Sequence, residues 1–332
     1  MSAKLLLPLL SLSVFYFVFY FSDANGLRAL GDAAQHAEKL PGLDVPLRTR
    51  YTGLPHLDQL LATLTVFFWP VGDGSQPGLT LHSIAFSGTF ASRRGSCPAV
   101  LGLAAQVLTF AFATPLYAFL HLCDAVTAAG PTAENMRIPR VVLKALPHVF
   151  TVAMFIPSLL MIAPLSETMT HDLKQICIAA WQPWPAYVAT LLAVANRVGG
   201  SSVVVSAATV AAPGIFQKRC LEALHPLSVF ATPLPWASPA LEVSTVGQGV
   251  QVFLRWDYVI GSAGVLVWAV SLIRSAHRAA GVQASLPSLL AKVVALSVLA
   301  SPTGAAVELM WEREELFLDD ADETRAMTSS KK

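Results

Sequence analysis

The chain has 332 residues, of which 54% are hydrophobic and 13% charged, with a formal net charge of +1 and a mean hydropathy of +0.57. A soluble domain carries roughly twice that charged fraction, and a charge so near balance excludes a dedicated nucleic-acid or anionic-surface partner. The composition is that of an all-α, polytopic integral membrane helical bundle, since several stretches approach the roughly 20 apolar residues that a spanning helix needs.

In chain order the predicted spans are Leu5–Phe21, Leu57–Val71, Leu79–Ala91, Ala99–Leu122, Val141–Ala163, Ile176–Ala195, Tyr258–Ile273 and Leu286–Ala300. The first follows Lys4 and runs into Ser22-Asp23-Ala24, a small-x-small pattern that a signal peptidase would cut. Its length and its bulky Phe and Tyr residues favour an uncleaved anchor. The bundle then has eight spans, or seven if the first is removed. The second and third are short and joined by VGDGSQPG, where Gly72, Gly74, Pro77 and Gly78 make a turn, so they read as a helical hairpin. The expected organisation is an anchor or signal peptide over residues 1–24, a multi-span domain over 25–312 and a polar tail over 313–332.

Residues 199–255 form the longest segment between spans. Its patches VVVSAATVAAPGIF and PLSVFATPLPWASPALEV are rich in Ser, Thr, Pro and Gly, and one of them reads as a ninth span or a re-entrant piece. Cys97, Cys123, Cys177 and Cys220 have no CxxC spacing and no accompanying His pattern, so neither a disulfide framework nor a metal site is expected. No repeat or Gly-rich phosphate loop is visible, which leaves nucleotide-driven transport without support.

Polar groups at membrane depth or at the rim are where chemistry would sit. An acid at the mouth of a membrane helix is costly to keep and is a candidate working group. FLRWDYVIGS places Trp256, Asp257 and Tyr258 at the head of the seventh span, with Gly261 at i+4 leaving open space on the same helix face as Asp257. A carboxyl group in a water-poor place can keep its proton at neutral pH and donate it. A helix N-terminus that welcomes negative charge would account for the same residue.

Other candidates have comparable structural explanations. Asp58 and Asp73 bracket the second span, where hydration or helix capping explains them as well as chemistry does. His121 and Asp124 share a helix face and read as a proton-transfer pair or, more simply, as an interfacial cap. Trp181, Gln182, Trp184 and Pro185 start or interrupt the sixth span, as an interfacial aromatic belt or as a wall that stabilises a carbocation by cation-π contact. Glu308, Trp311, Glu312 and Glu315 recur at helical spacing, an acidic and aromatic stripe that either closes a pocket or faces solvent.

Several blocks together resemble the membrane-bound fungal terpene cyclases of the ascofuranone-cyclase type. They are YTGLPHLDQLLATLTVFFWPVGDGSQP from Tyr51, ATPLYAFLHL from Ala113, IAAWQPWPAY from Ile178, FLRWDYVIGS from Phe253 and SPTGAAVELMWEREE from Ser301. They span most of the chain in the expected order. One departure stands out: after the third span the chain has only FSGTFASRRGSCPAV, where a longer apolar segment and an acid before the basic loop are expected.

The resemblance implies a cyclase without cofactor or metal, in the endoplasmic reticulum membrane, acting on a prenylated or epoxidised terpenoid by protonation. No DDxxD or NSE-type magnesium motif is present, and the acidic run at Asp319 to Glu323 lies in the polar tail, so diphosphate ionisation is disfavoured. In this reading Asp257 protonates an epoxide, and Asp58 or Glu308 tunes or reprotonates it. Trp181, Trp184 and Trp256 shield the cation, while Tyr258, Gln182 and His121 complete the substrate site. The rival is a transporter or binding protein without chemistry, which also uses intramembrane acids but predicts inverted-repeat symmetry, and matched halves are not visible.

Overall fold

The computed structural model describes residues 2–87, 98–124, 127, 132, 140–198, 229–238 and 241–329, and within them the chain is all-α. Apart from a single bridge between Lys39 and Pro46, no β-pairing occurs among these residues. The helices are α1 (Ala3–Ala24), α2 (Leu27–His36), α3 (Pro55–Gly72), α4 (Pro77–Ser87), α5 (Pro98–Leu108), α6 (Phe110–Cys123), α7 (Val141–Ile162), α8 (His171–Trp181), α9 (Trp184–Val198), α10 (Val246–Ala279) and α11 (Leu286–Ser329), the last kinked at Ser301, where φ is 74°. Three of them open on proline, whose missing N–H costs nothing at the first helical position. Single turns of π-helix interrupt α1 at Phe15–Tyr20 and α7 at Thr151–Phe155.

Four helices, α1, α7, α10 and α11, are long and apolar enough to cross a membrane, and the bent pair α8 and α9 makes a fifth if it counts as one span. The chain is therefore a multi-pass membrane protein by length and composition. Two predicted spans are broken. The run Ala99–Leu122 divides at Thr109, which takes a φ of 76°. The run Ile176–Ala195 divides at Gln182, and the two halves are bent by 57°. Conversely, Tyr258–Ile273 extends in both directions into a helix of 34 residues, roughly 50 Å long at 1.5 Å per residue. The end of the third predicted span and the patch VVVSAATVAAPGIF lie outside the described residues.

α10 is the central helix and packs against α1, α3, α6 and α11. Its Thr245 cap accepts the Gln248 N–H at 3.2 Å. Glycines let neighbours approach it closely, and a Cβ at Gly264 would stand 2.6 Å from Pro115 of α6. α1 lays Leu7, Val14 and Val18, all fully buried, against α6 and α10. Ser11 fixes its height by donating to the Phe112 carbonyl at 2.9 Å. On the other side, fully buried Lys174 donates to the Ala163 carbonyl at 2.6 Å and closes the connection between α7 and α8. Arg48 grips Asp172 with bonds of 2.5 and 2.7 Å, which fastens the loop before α3 to the start of α8.

Candidate active site

The break at Thr109 creates the most unusual polar arrangement in the bundle. A helix start exposes N–H groups that its own turns cannot satisfy. At α6 these donors meet the carboxylate of Asp257, which α10 brings from 146 residues away. The Ala111 N–H donates to Asp257 Oδ1 at 2.5 Å. The Phe110 N–H and the Thr109 hydroxyl also donate to this carboxylate. Asp257 is only 3% exposed. A β-branched residue at positive φ costs on the order of 1–3 kcal/mol, and this set of bonds from α10 is what holds Thr109 there.

The open space expected beside Gly261 is filled. A Cβ on Gly261 would run into the ring of Phe110, so the glycine admits the neighbouring helix and not a ligand. The expectation failed because i+4 spacing reports a shared helix face but not what another helix lays on it.

The three indoles expected around one cation fall into different clusters. Trp256 turns toward α1, stacks on Phe17 with centroids 4.4 Å apart and donates its Nε1–H to the Pro233 carbonyl at 2.9 Å. Trp181 and Trp184 belong to the main core. Trp181 donates to Ser158 Oγ at 2.9 Å and meets Phe68 edge-on at 5.2 Å. Tyr258 instead faces His82, with centroids 5.5 Å apart, and Phe230 at 6.1 Å. Gln182 is buried at the break between α8 and α9.

Residues not singled out from the sequence connect these clusters. Phe68 meets Phe67 at 5.0 Å, and Phe67 meets Phe253 at 5.0 Å, so aromatic rings run from Trp181 to α10 one turn before Asp257. The signal was available: Phe253 and Asp257 are four apart, hence neighbours on one helix face. His82, fully buried between Phe230 and Tyr258, carried no sequence signal of comparable strength.

The remaining candidates stand apart from Asp257. Asp58 accepts the N–H of Tyr51 at 3.1 Å, the N–H and hydroxyl of Thr52 at 2.6 and 2.8 Å, and the N–H of Gly53 at 3.0 Å. α3 is not among the candidate membrane spans, and these donors, the Thr52 N–H foremost, hold Asp58 below the usual carboxylate range. It lines a cavity of about 350 Å³ with Gln35, Arg50 and Gln59. Glu308 is exposed. His121 receives the Trp268 indole N–H on Nδ1 at 3.2 Å, so Trp268, not Asp124, orients its ring. The acidic stripe divides: Glu312 accepts from Lys292 at 2.7 Å and lies 3.6 Å from His277, while Trp311 donates to Glu315 at 2.5 Å on the exposed side. Among the described residues no group of three or more His, Cys, Asp or Glu side chains converges as a metal site would require.

The fold and site define an all-α multi-pass membrane bundle with a buried acid held at a helix break. The match to known proteins narrows the class. The CtvD domain model matches residues 3–202 and 200–318, and the chain belongs to this family of fungal terpene cyclases. It is 28% identical to terpene cyclase ctvD of Aspergillus terreus, over 90% of this chain and 94% of the relative. It is 27% identical to terpene cyclase ascI of Acremonium egyptiacum, over 80% and 79% of the two chains. Terpene cyclase penA of Penicillium crustosum is 26% identical over 92% and 94%. No solved structure matches. The resemblance drawn from five sequence blocks is thus borne out over most of the chain.

Proposed function

We propose that the chain cyclises a prenyl chain by protonating it, on a terpenoid or meroterpenoid substrate that carries a terminal epoxide. Asp257 is the acid. The observation that carries this reading is a carboxyl group 3% exposed, one turn from the ring of Phe253, in the block FLRWDYVIGS that resembles the family. In its acid form it keeps one oxygen for the α6 N–H donors and offers the proton from the other. The proton passes to the epoxide oxygen and the C–O bond breaks. An alkene or hydroxyl of the same substrate attacks the opened carbon, and the proton released at the end of the cascade returns to the carboxylate. The product is an isomer of the substrate, and no diphosphate leaves.

Phe253, Phe67, Phe68 and Trp181 form the electron-rich wall, each ring contributing about 0.5–2 kcal/mol to a nearby cation. Trp184 and Tyr258, which pack in the same core as these rings, and Gln182 shape the space around it, while Trp256 and His121 lie in separate clusters. Asp58 is assigned to loop anchoring and Glu308 to the exposed face of α11, so the reading rests on a single acid. A multi-pass chain in the endoplasmic reticulum membrane fits it, with the four or five helices that are long and apolar enough to span.

The test is conversion of epoxyfarnesyl compounds and epoxyprenyl phenols by microsomes carrying the chain, read by mass spectrometry as an isomer of unchanged mass. Wild type yields the isomer and Asp257→Asn does not. Turnover retained in that variant would remove Asp257 from the mechanism.

A further inference from the structure

The second helix break holds a polar group that the fold leaves unused. Gln182 sits where α8 ends and α9 begins, between Trp181 and Trp184, and is 5% exposed. Its Nε2 donates to the Ile178 carbonyl at 3.2 Å, which fixes which end of the carboxamide is which. Its Oε1 is buried and finds no hydrogen-bond partner among the described residues. Buried acceptors are nearly always paired in folded proteins, and each one left open calls for a reason. Broken helices at membrane depth are places where polar groups meet a substrate.

The position of the break supplies a second observation. α9 lies so close to α5 that a Cβ on Gly102 would stand 2.6 Å from Pro185 Cβ. From Gly102, α5 leads to Thr109 and the donors around Asp257. Seven residues of helix, from Gly102 to Thr109, cover roughly 10 Å. Pro185, three residues after Gln182, thus packs on the middle of α5, whose C-terminal end adjoins Thr109 and the donors around Asp257; the break near Gln182 has a hydrogen-bond acceptor to offer and the break at Thr109 an acid.

We infer that Gln182 Oε1 is a positioning group that accepts a hydrogen bond from an O–H or N–H of the substrate, so that the prenyl chain is held with its reactive end toward Asp257. This rests on the proposed cyclase reading for its substrate class. It adds a specificity rule: substrates with a free hydroxyl or N–H at that point are preferred over those in which it is alkylated.

Binding of a farnesylated phenol and of its methyl ether to the purified full chain tests this without any turnover. Wild type is expected to bind the phenol about tenfold more tightly, the difference that one buried hydrogen bond makes. Gln182→Met should bind the two equally; because it also loses the Nε2–H bond to the Ile178 carbonyl, the lost preference and not the melting temperature is the readout. Equal binding by wild type or a preference kept by Gln182→Met would each overturn the inference. The wild-type comparison needs no variant and stays decisive by itself. A chain that prefers the phenol yet never cyclises an epoxide would sink the cyclase mechanism and leave this inference standing; cyclisation without the preference would do the reverse.

Discussion

Asp257 and Asp58 are both buried carboxylates, 3% and 5% exposed, and both accept backbone N–H groups near the start of a helix. The donors to Asp58 lie five to seven residues away, so its bonds form once the turn before α3 closes. The N–H that donates to Asp257 lies 146 residues away and on a different helix. A carboxylate held by its sequence neighbours fixes a loop. One held by the open end of another helix in an apolar interior ties two distant segments together, and its removal has chemical as well as structural consequences. Hydrogen-bond number alone does not separate these cases; the origin of the donors does.

The largest expected effect breaks the comparison at Asp257. Asp257→Asn retains an oxygen for the Ala111 N–H, so folding should survive while turnover falls by about 10²–10⁴, the usual contribution of a positioned acid. Asp257→Leu removes every acceptor and leaves the Phe110 and Ala111 N–H groups buried and unpaired, at about 1–3 kcal/mol each. Its melting temperature should fall well below that of the Asn variant. If Asn unfolds the protein as much as Leu does, Asp257 belongs with Asp58 as a purely structural anchor.

A smaller effect sharpens the same point from the neighbouring helix. Gly261→Ala drives a methyl group into Phe110, the residue whose N–H donates to Asp257. Overpacking of this kind costs about 1–3 kcal/mol. Thermal unfolding should register it, and turnover should fall further than the lost stability accounts for, because the donors around the acid shift with Phe110. Unchanged activity at reduced stability would show that the geometry of the α6 start is not needed for chemistry.

Much of the fold could be read from composition and periodicity, because apolar runs of sufficient length dictate helices in a bilayer. α1, α7 and α10 lie where their hydrophobic stretches are. The breaks were only half legible. Trp181, Gln182, Trp184 and Pro185 announced an interruption, since a proline there removes a helical N–H. Thr109 announced nothing: its φ of 76° is imposed by Asp257 from α10, and a tertiary contact leaves no local signal. Asp257 itself stood out as an acid in an apolar run. The aromatic wall did not, because Phe67, Phe68 and Phe253 are ordinary in greasy helices until packing brings their rings together.

The smallest effect concerns Asp58 and depends on pH. Its donors hold the folded carboxyl below the ordinary value of 3.8. A depressed folded pKa means that the charged group contributes stability above the unfolded value, and that this contribution is lost as pH falls through the folded one. Asp58→Asn removes the charge and one acceptor but keeps the side chain's size. The variant should therefore melt below wild type at pH 7, and the gap should narrow as pH drops beneath about 4. Thermal unfolding of both proteins across that range measures it. A gap that stays constant would mean that Asp58 acts through shape and not charge. A fall in turnover at neutral pH beyond the stability loss would restore the second-acid role read from the sequence and erase the contrast with Asp257.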